Sequence, residues 1–337
     1  MKKKIILSIL LILLVTGGFL AWQLFGPTVS APEGKYFYIR TGAVYEDVKR
    51  SLTEQKIISS PFFFELVARQ IKYNKAVKAG RYQVKNGMSL FNLIRMLRSG
   101  NQAPVNLVIT KLRTKEDLAA KLAANFEADS IHFINLLTDN AALSAYNLDS
   151  NTMMTAIIPN TYTFLWNTSP DKIFSKLAKE KERFWNEERK AKAKALNLSP
   201  EQVYTMASIV EEETNKEEDM GKIASVYLNR MQSGMKLQAD PTVKFALKNF
   251  ALKRVREKHI AFASPFNTYQ NTGLPPGPIC TASSRTIDAV LNAPATNYLY
   301  FVARPDWSGL SNFSRSYDEH QLNAKNYQHF LDSVNIK

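Results

Sequence analysis

The stretch Ser199-Pro200-Glu201-Gln202-Val203-Tyr204-Thr205-Met206-Ala207-Ser208-Ile209-Val210-Glu211-Glu212-Glu213-Thr214 opens as a helix and closes on three acids. Ser199 and Gln202 have capping-box spacing, and Pro200 takes the first helical position, where its missing N–H costs nothing. On a 3.6-residue period Val203, Met206, Ala207 and Val210 share one face. Glu212 then points away from that stripe and is expected in solvent. Glu211 and Glu213 fall on its two margins, and periodicity does not choose between them. A carboxyl at the edge of an apolar face has its charged form disfavoured, so it holds a proton nearer neutrality. That is the property of a general acid toward a glycosidic oxygen. A run of three glutamates is more commonly just a charged helix end, so the assignment needs support from the rest of the chain.

Downstream, Gly234-Met235-Lys236-Leu237-Gln238-Ala239-Asp240-Pro241-Thr242, Pro265-Phe266-Asn267-Thr268-Tyr269 and Thr272-Gly273-Leu274-Pro275-Pro276-Gly277-Pro278-Ile279 are dense in Gly, Pro, Asn and Thr. Loops of this kind wall clefts more often than they merely connect. A helix from Ser283 or Ser284 to Asn292 follows, then a hairpin (298–303 with 310–314) and a last helix over 317–334. Upstream, 171–196 reads as one long charged helix with Ile173, Leu177, Phe184 and Trp185 as its buried stripe. Lys244 to Lys258 is a basic insertion, read as a solvated face.

The N-terminal half has a weak internal repeat. Strand, glycine turn and amphipathic helix occur at 36–52, return at 82–97, and recur faintly at 105–124. Between the first two, Ser60-Pro61 starts another helix carrying Phe62, Phe63, Phe64 and Leu66. The layout is similar to that of small sugar-binding LysM modules, with Gly42 and Gly87 as the turns.

Lys2-Lys3-Lys4 precede Ile5–Phe25, an uncharged run long enough to cross a bilayer, where about 20 residues suffice. Lysines held on the cytoplasmic side orient the remainder outward. A cleaved signal peptide, with Val29-Ser30-Ala31 as the cleavage site, is the competing reading, but its apolar region usually spans about 7–15 residues. The expected location is therefore the cytoplasmic membrane, single-pass, with the N-terminus inside. The formal net charge is +14. On the outer side its partners are anionic headgroups and a carboxylate-bearing wall polymer, not nucleic acid. Cys280 is the single cysteine; it excludes an internal disulfide and reads as a small buried hydrophobe. The four histidines show no ligand spacing, so no metal and no other cofactor is expected.

Taken in order, ASIVEEET, LNR…GMKLQADPTV, NTY…TGLPPGPI, YLYFVA and NFSRSYDEHQ resemble the endolytic murein transglycosylase family (YceG-like, MltG). The resemblance implies an α+β protein made of a transmembrane anchor (1–25), a linker (26–35), a LysM-like module (36–125) and a Glu-centred mixed α+β catalytic domain (126–337). It implies a lytic transglycosylase that cuts the MurNAc-β-1,4-GlcNAc bond of nascent peptidoglycan strands, leaves 1,6-anhydro-MurNAc ends, and works near peptidoglycan synthases. It places the catalytic carboxyl at Glu211. Gln238, Asp240 and Thr242 are the candidates for binding sugar hydroxyls or N-acetyl groups, with Asn267 and Tyr269 lining the cleft. The chain departs from the family at Asn160, where an Asp is usual, and at Lys111-Leu112-Arg113, where a Glu-Gly pair is common. Two other readings stay open: a hydrolase using water with Glu211 and Asp240 as its carboxylate pair, and a non-catalytic wall-binding scaffold.

Overall fold

The computed structural model describes residues 2–333. Its order is α1 (Lys2–Phe25), β1 (Tyr36–Ile39), α2 (Tyr45–Glu54), α3 (Pro61–Gln70), β2 (Gly80–Gln83), α4 (Leu90–Ser99), β3 (Val105–Val108), α5 (Lys115–Ala123), α6 (Ser130–Thr138), α7 (Asn140–Ser144) and β4 (Thr161–Phe164). There follow α8 (Pro170–Phe184), α9 (Glu187–Ala195), α10 (Pro200–Glu213), α11 (Glu217–Gln232), α12 (Asp240–Ala246), α13 (Glu257–Ile260), α14 (Ser284–Leu291), β5 (Tyr300–Ala303), β6 (Ser311–Ser314) and α15 (Tyr317–Ser333). The strands form three two-stranded sheets, β1-β2, β3-β4 and β5-β6. The mixed α+β expectation holds. Val334, the expected end of the last helix, lies outside the described residues.

The chain divides into two compact units. The smaller comprises 1–107, 123–129 and 163–169; the larger comprises 108–122, 130–162 and 170–337. In the smaller unit β1 and β2 pair antiparallel, Tyr36 opposite Gln83 and Ile39 opposite Gly80. The strands of the first two repeats are therefore each other's partners. Gly42 (φ 84°) and Gly87 (φ 77°) both sit in the left-handed region, where a side chain is strained. Phe37, Leu52, Phe64, Tyr73, Tyr82 and Leu93 are fully buried and form this unit's core. α1 is long and apolar enough to cross a membrane.

The larger unit is built around α10. Its start is as read: Ser199 Oγ accepts from Gln202 N at 3.2 Å while Gln202 Oε1 accepts from Ser199 N at 2.8 Å. Ser199→Ala is expected to cost about 1 kcal/mol, the usual value of an N-cap, measurable as a lowered urea midpoint.

The single apolar stripe expected on α10 is not what the helix shows. Every side chain from Val203 to Val210 is buried, because α10 lies in a core shared with residues of α9, α11 and α14. Thr205 and Ser208 tolerate this by donating back to the helix, to Glu201 O at 2.8 Å and Thr205 O at 2.7 Å. Ser208 Oγ also accepts from Ile279 N at 3.0 Å. Cys280 beside it is buried as expected, and burial pushes its thiol up. Gly277 has a packing reason: a Cβ there would meet the Asn151 carbonyl oxygen at 2.1 Å.

The long helix expected over 171–196 is two helices. Trp185 is buried at the break, and Asn186 Oδ1 caps α9 by accepting from Arg189 N at 2.9 Å. Arg189 then grips Asp288 through Nε (2.7 Å) and Nη2 (2.9 Å). That bidentate pair pulls the second segment toward α14, which a straight helix would not allow.

Candidate active site

The three glutamates at the end of α10 face three different surroundings. Glu211 is half-buried, and its Oε2 accepts from Ser283 N at 3.3 Å, from Ser283 Oγ at 2.9 Å and from Thr286 Oγ1. Ser283 is itself the N-cap of α14. Glu211 thus places its carboxylate at a helix N-terminus, where the aligned peptide dipoles favour negative charge. Glu211→Ala is expected to lower stability by about 1–3 kcal/mol by stripping those hydroxyls of their acceptor. Comparing its urea unfolding with that of the unaltered chain checks this.

Glu212 is not in open solvent as its place on the helix suggested. Its side chain is 16% exposed, and it pairs with Lys111 and Arg113, both at 3.1 Å. The stretch that departs from the family pattern supplies both cations. Lys111 also donates to the Glu211 carbonyl at 3.0 Å, satisfying a backbone acceptor that the end of the helix leaves open.

Glu213 is the last residue of α10, and it turns into an aromatic pocket of about 360 Å³. Tyr227, Tyr269, Tyr300, Phe301 and Tyr317 line this pocket, with Arg230, Gln238, Asp240 and His320 as its polar groups. Tyr227 Oη donates to Glu213 Oε1 at 2.8 Å. Burial raises the Glu213 carboxyl to about 7, with nearby Asp240 adding to the rise and the Tyr227 hydrogen bond opposing it. The C-terminal end of α10 is the negative pole of the helix, which further disfavours an anion there. Glu213 also lines an adjoining groove of about 480 Å³, together with Glu211, Glu212, Lys111, Arg113 and Lys216, and of the three glutamates it alone lines both spaces. It therefore stands as the wall shared by two open spaces, where a chain running through both would pass it.

The pocket is held rigidly. Arg230 is buried and donates to Leu299 O and Leu237 O, both at 2.7 Å, with its guanidinium over the Tyr300 ring at 5.2 Å. The ring of His320 stacks on Tyr300 at 5.2 Å, so it braces the β5–β6 hairpin. Burial lowers its basicity, with Arg230 adding to the effect.

Of the other expected site residues, three reach the pocket. Asp240 begins α12 and accepts from Tyr269 Oη at 2.7 Å. Gln238 is exposed there, held at φ 52° with its N–H on Thr268 O. Thr242 and Asn267 do not reach it. Thr242 is fully buried, donating to Ala239 O at 2.7 Å and meeting Thr268 Oγ1 at 2.8 Å. Asn267, also fully buried, spends its amide on Ile260 O and Phe262 O. Both fasten the loops that present Asp240 and Tyr269. Tyr227, Arg230, Tyr300 and Tyr317 escaped the sequence reading, because each carries no signal beyond its own motif. Among the described residues no group of three or more His, Cys, Asp or Glu is arranged to hold a metal.

The YceG-like family model matches residues 37–326. An endolytic murein transglycosylase of Bacillus subtilis (strain 168) is 31% identical over 307 residues, covering 86% of this chain and 83% of that protein. One from Streptococcus pneumoniae serotype 2 (strain D39 / NCTC 7466) is 24% identical, and the alignment spans 96% of this chain but only 65% of the relative. A crystal structure of a yceG-like protein from Listeria monocytogenes superposes with a TM-score of 0.58 at 26% identity, covering 86% of this chain and 99% of the other.

Proposed function

Because the chain belongs to the YceG-like family, we propose that it is an endolytic peptidoglycan lytic transglycosylase whose acid and base is Glu213. The observation that carries this is a single carboxyl, raised to about 7, set between an aromatic pocket and an open groove. Protonated Glu213 gives its proton to the oxygen bridging MurNAc and GlcNAc, and the C1–O bond breaks with the electrons going to that oxygen. The resulting carboxylate takes the proton from the muramic 6-hydroxyl as its oxygen bonds to C1. One bond breaks, one forms, and no water is consumed, so the new end is a 1,6-anhydro sugar. The tyrosines supply stacking faces for sugar rings. Gln238 and Asp240 are the groups that meet sugar hydroxyls. Glu211, the residue the family resemblance favoured, has its carboxylate committed to the cap of α14, and its role in this reading is to fix the end of α10.

α1 anchors the chain in the cytoplasmic membrane, N-terminus inside, which Lys2, Lys3 and Lys4 before the apolar run support. β1, α2, α3 and β2 close as a compact αβ module of LysM-like layout. A groove of about 920 Å³ lies beside β1 and α2, where the rings of Tyr38 and Trp166 meet edge-on at 4.9 Å. That groove gives the module a place for a glycan strand.

Activity should depend on pH through Glu213. The acid form is needed, so kcat/KM on purified peptidoglycan is expected to fall as pH rises through about 7. The same shift has a stability sign. A carboxyl whose folded pKa is raised contributes stability below its unfolded value and loses it as pH rises through the folded one. Urea midpoints of the unaltered chain should therefore drop with pH over that window more than those of Glu213→Gln.

One observation favours a second reading: Asp240 lines the same pocket as Glu213, as a hydrolase carboxylate pair would. Mass analysis of the released fragments separates the two. Ends lighter by one water identify the lyase; reducing ends identify hydrolysis and overturn the proposal. Binding to wall sacculi with no fragments released would leave only a scaffold.

A further inference from the structure

The smaller unit carries an apolar edge that its own core does not use. On α3, Phe62 is 70% exposed and Leu66 51% exposed; four residues apart, they lie on one face. Phe63 meets Phe62 at 5.4 Å and meets Phe19 of α1 at 6.2 Å. Phe25 of α1 meets Phe91 of α4 at 5.5 Å. The last turns of α1 are therefore packed against the module and are no free stalk.

Phe19 lies inside the uncharged run that ends at Phe25. Six residues of helix correspond to about 9 Å. A bilayer that takes in α1 as far as Phe25 thus reaches past the level of Phe63. Helices lying in the interface bury their apolar face by about 5–10 Å, the same depth.

We propose that α3 is a second membrane contact: its Phe62–Leu66 edge inserts into the headgroup and acyl boundary of the bilayer that α1 crosses, seating the smaller unit on the membrane surface. This rests on the reading of α1 as an anchor. One charge agrees with it. Arg95 follows Phe91 by one turn of α4 and is exposed, placed as a basic group is when it meets anionic headgroups beside an inserted apolar edge. Arg69, after Leu66 on α3, is paired with Glu65 on the same helix and so adds no net charge there. The consequence is mechanical: a module held at two points cannot swing freely about the end of α1, so it meets the wall polymer close to the membrane.

The test uses the full chain carrying Cys280→Ala, with single cysteines at Phe62→Cys, Leu66→Cys, Ile12→Cys or Glu54→Cys. Each is labelled with an environment-sensitive fluorophore and reconstituted into phosphatidylglycerol–phosphatidylethanolamine vesicles containing lipids brominated at shallow or deep positions. Labels at 62 and 66 are expected to shift to the blue and to lose emission to the shallow bromines. The label at 12 should lose emission to the deep bromines, and the label at 54 to neither. If the labels at 62 and 66 behave like that at 54 while the label at 12 is quenched, the anchor stands and the α3 contact is wrong. A blue shift at 62 and 66 without lipid quenching means that protein, such as a second copy of this chain, covers the edge, and also overturns it. An unquenched label at 12 removes the anchor reading and this proposal with it.

Discussion

Glu213→Gln is expected to leave the protein folded while lowering peptidoglycan cleavage by about 10²–10⁴-fold, the range for losing a positioned acid–base group. Glutamine has the same shape and can still accept the hydrogen bond from Tyr227, which Glu213 takes at 2.8 Å. It cannot release a proton to the leaving oxygen or collect one from the muramic hydroxyl, so both halves of the reaction lose their carrier. Glu211→Gln is the informative partner. It disturbs the cap of α14 but leaves the pocket carboxyl in place, so it should keep cutting. Release of soluble fragments from purified sacculi, measured for the two variants side by side, reads the difference. The reverse outcome, an active Glu213→Gln and a dead but folded Glu211→Gln, would return the chemistry to Glu211.

The second large effect is on stability. Tyr204 is fully buried in the middle of α10. Its hydroxyl donates to Ile157 O at 2.6 Å and accepts from Ala282 N at 3.1 Å. One side chain therefore joins three segments of the larger unit: the approach to β4, the central helix and the loop before α14. Tyr204→Ala should cost about 3–5 kcal/mol, the usual range for emptying a buried aromatic site. Tyr204→Phe keeps the ring and orphans the two backbone groups, so about 1–3 kcal/mol is expected. Urea denaturation followed by circular dichroism measures both. Because the loop leading to Ser283 and Thr286 passes through this joint, the alanine variant should also loosen the end of α10 and slow cleavage of what remains folded.

What the sequence conveyed well was local. The start of α10 was legible because Ser199, Pro200 and Gln202 act on one another within a single turn. The turns at Gly42 and Gly87 were legible because only glycine enters their backbone region without strain. The break in the 171–196 helix also had a local sign, Asn186 followed by two glutamates, that the charge pattern around it obscured.

The choice among Glu211, Glu212 and Glu213 was not local. In the proposed reading it rests on Ser283 and Thr286, more than 70 residues away, and on Lys111 and Arg113, about 100 residues the other way. A helical wheel assumes one buried side, and from Val203 to Val210 α10 is buried on all of them, so rotation about its axis carries no information at the glutamates that follow. Thr242 and Asn267 show the same limit from another direction. Polar residues in a cleft-forming motif read alike whether they face a ligand or hold the loop that does.

The most direct test is titration of the Glu213 carboxyl itself, as the infrared difference between the unaltered protein and Glu213→Gln across pH. A protonated carboxyl signal that disappears with a midpoint near 7 is the predicted result. A carboxylate signal that persists down to the ordinary glutamate value of about 4.3 would contradict the assignment of Glu213 as the acid.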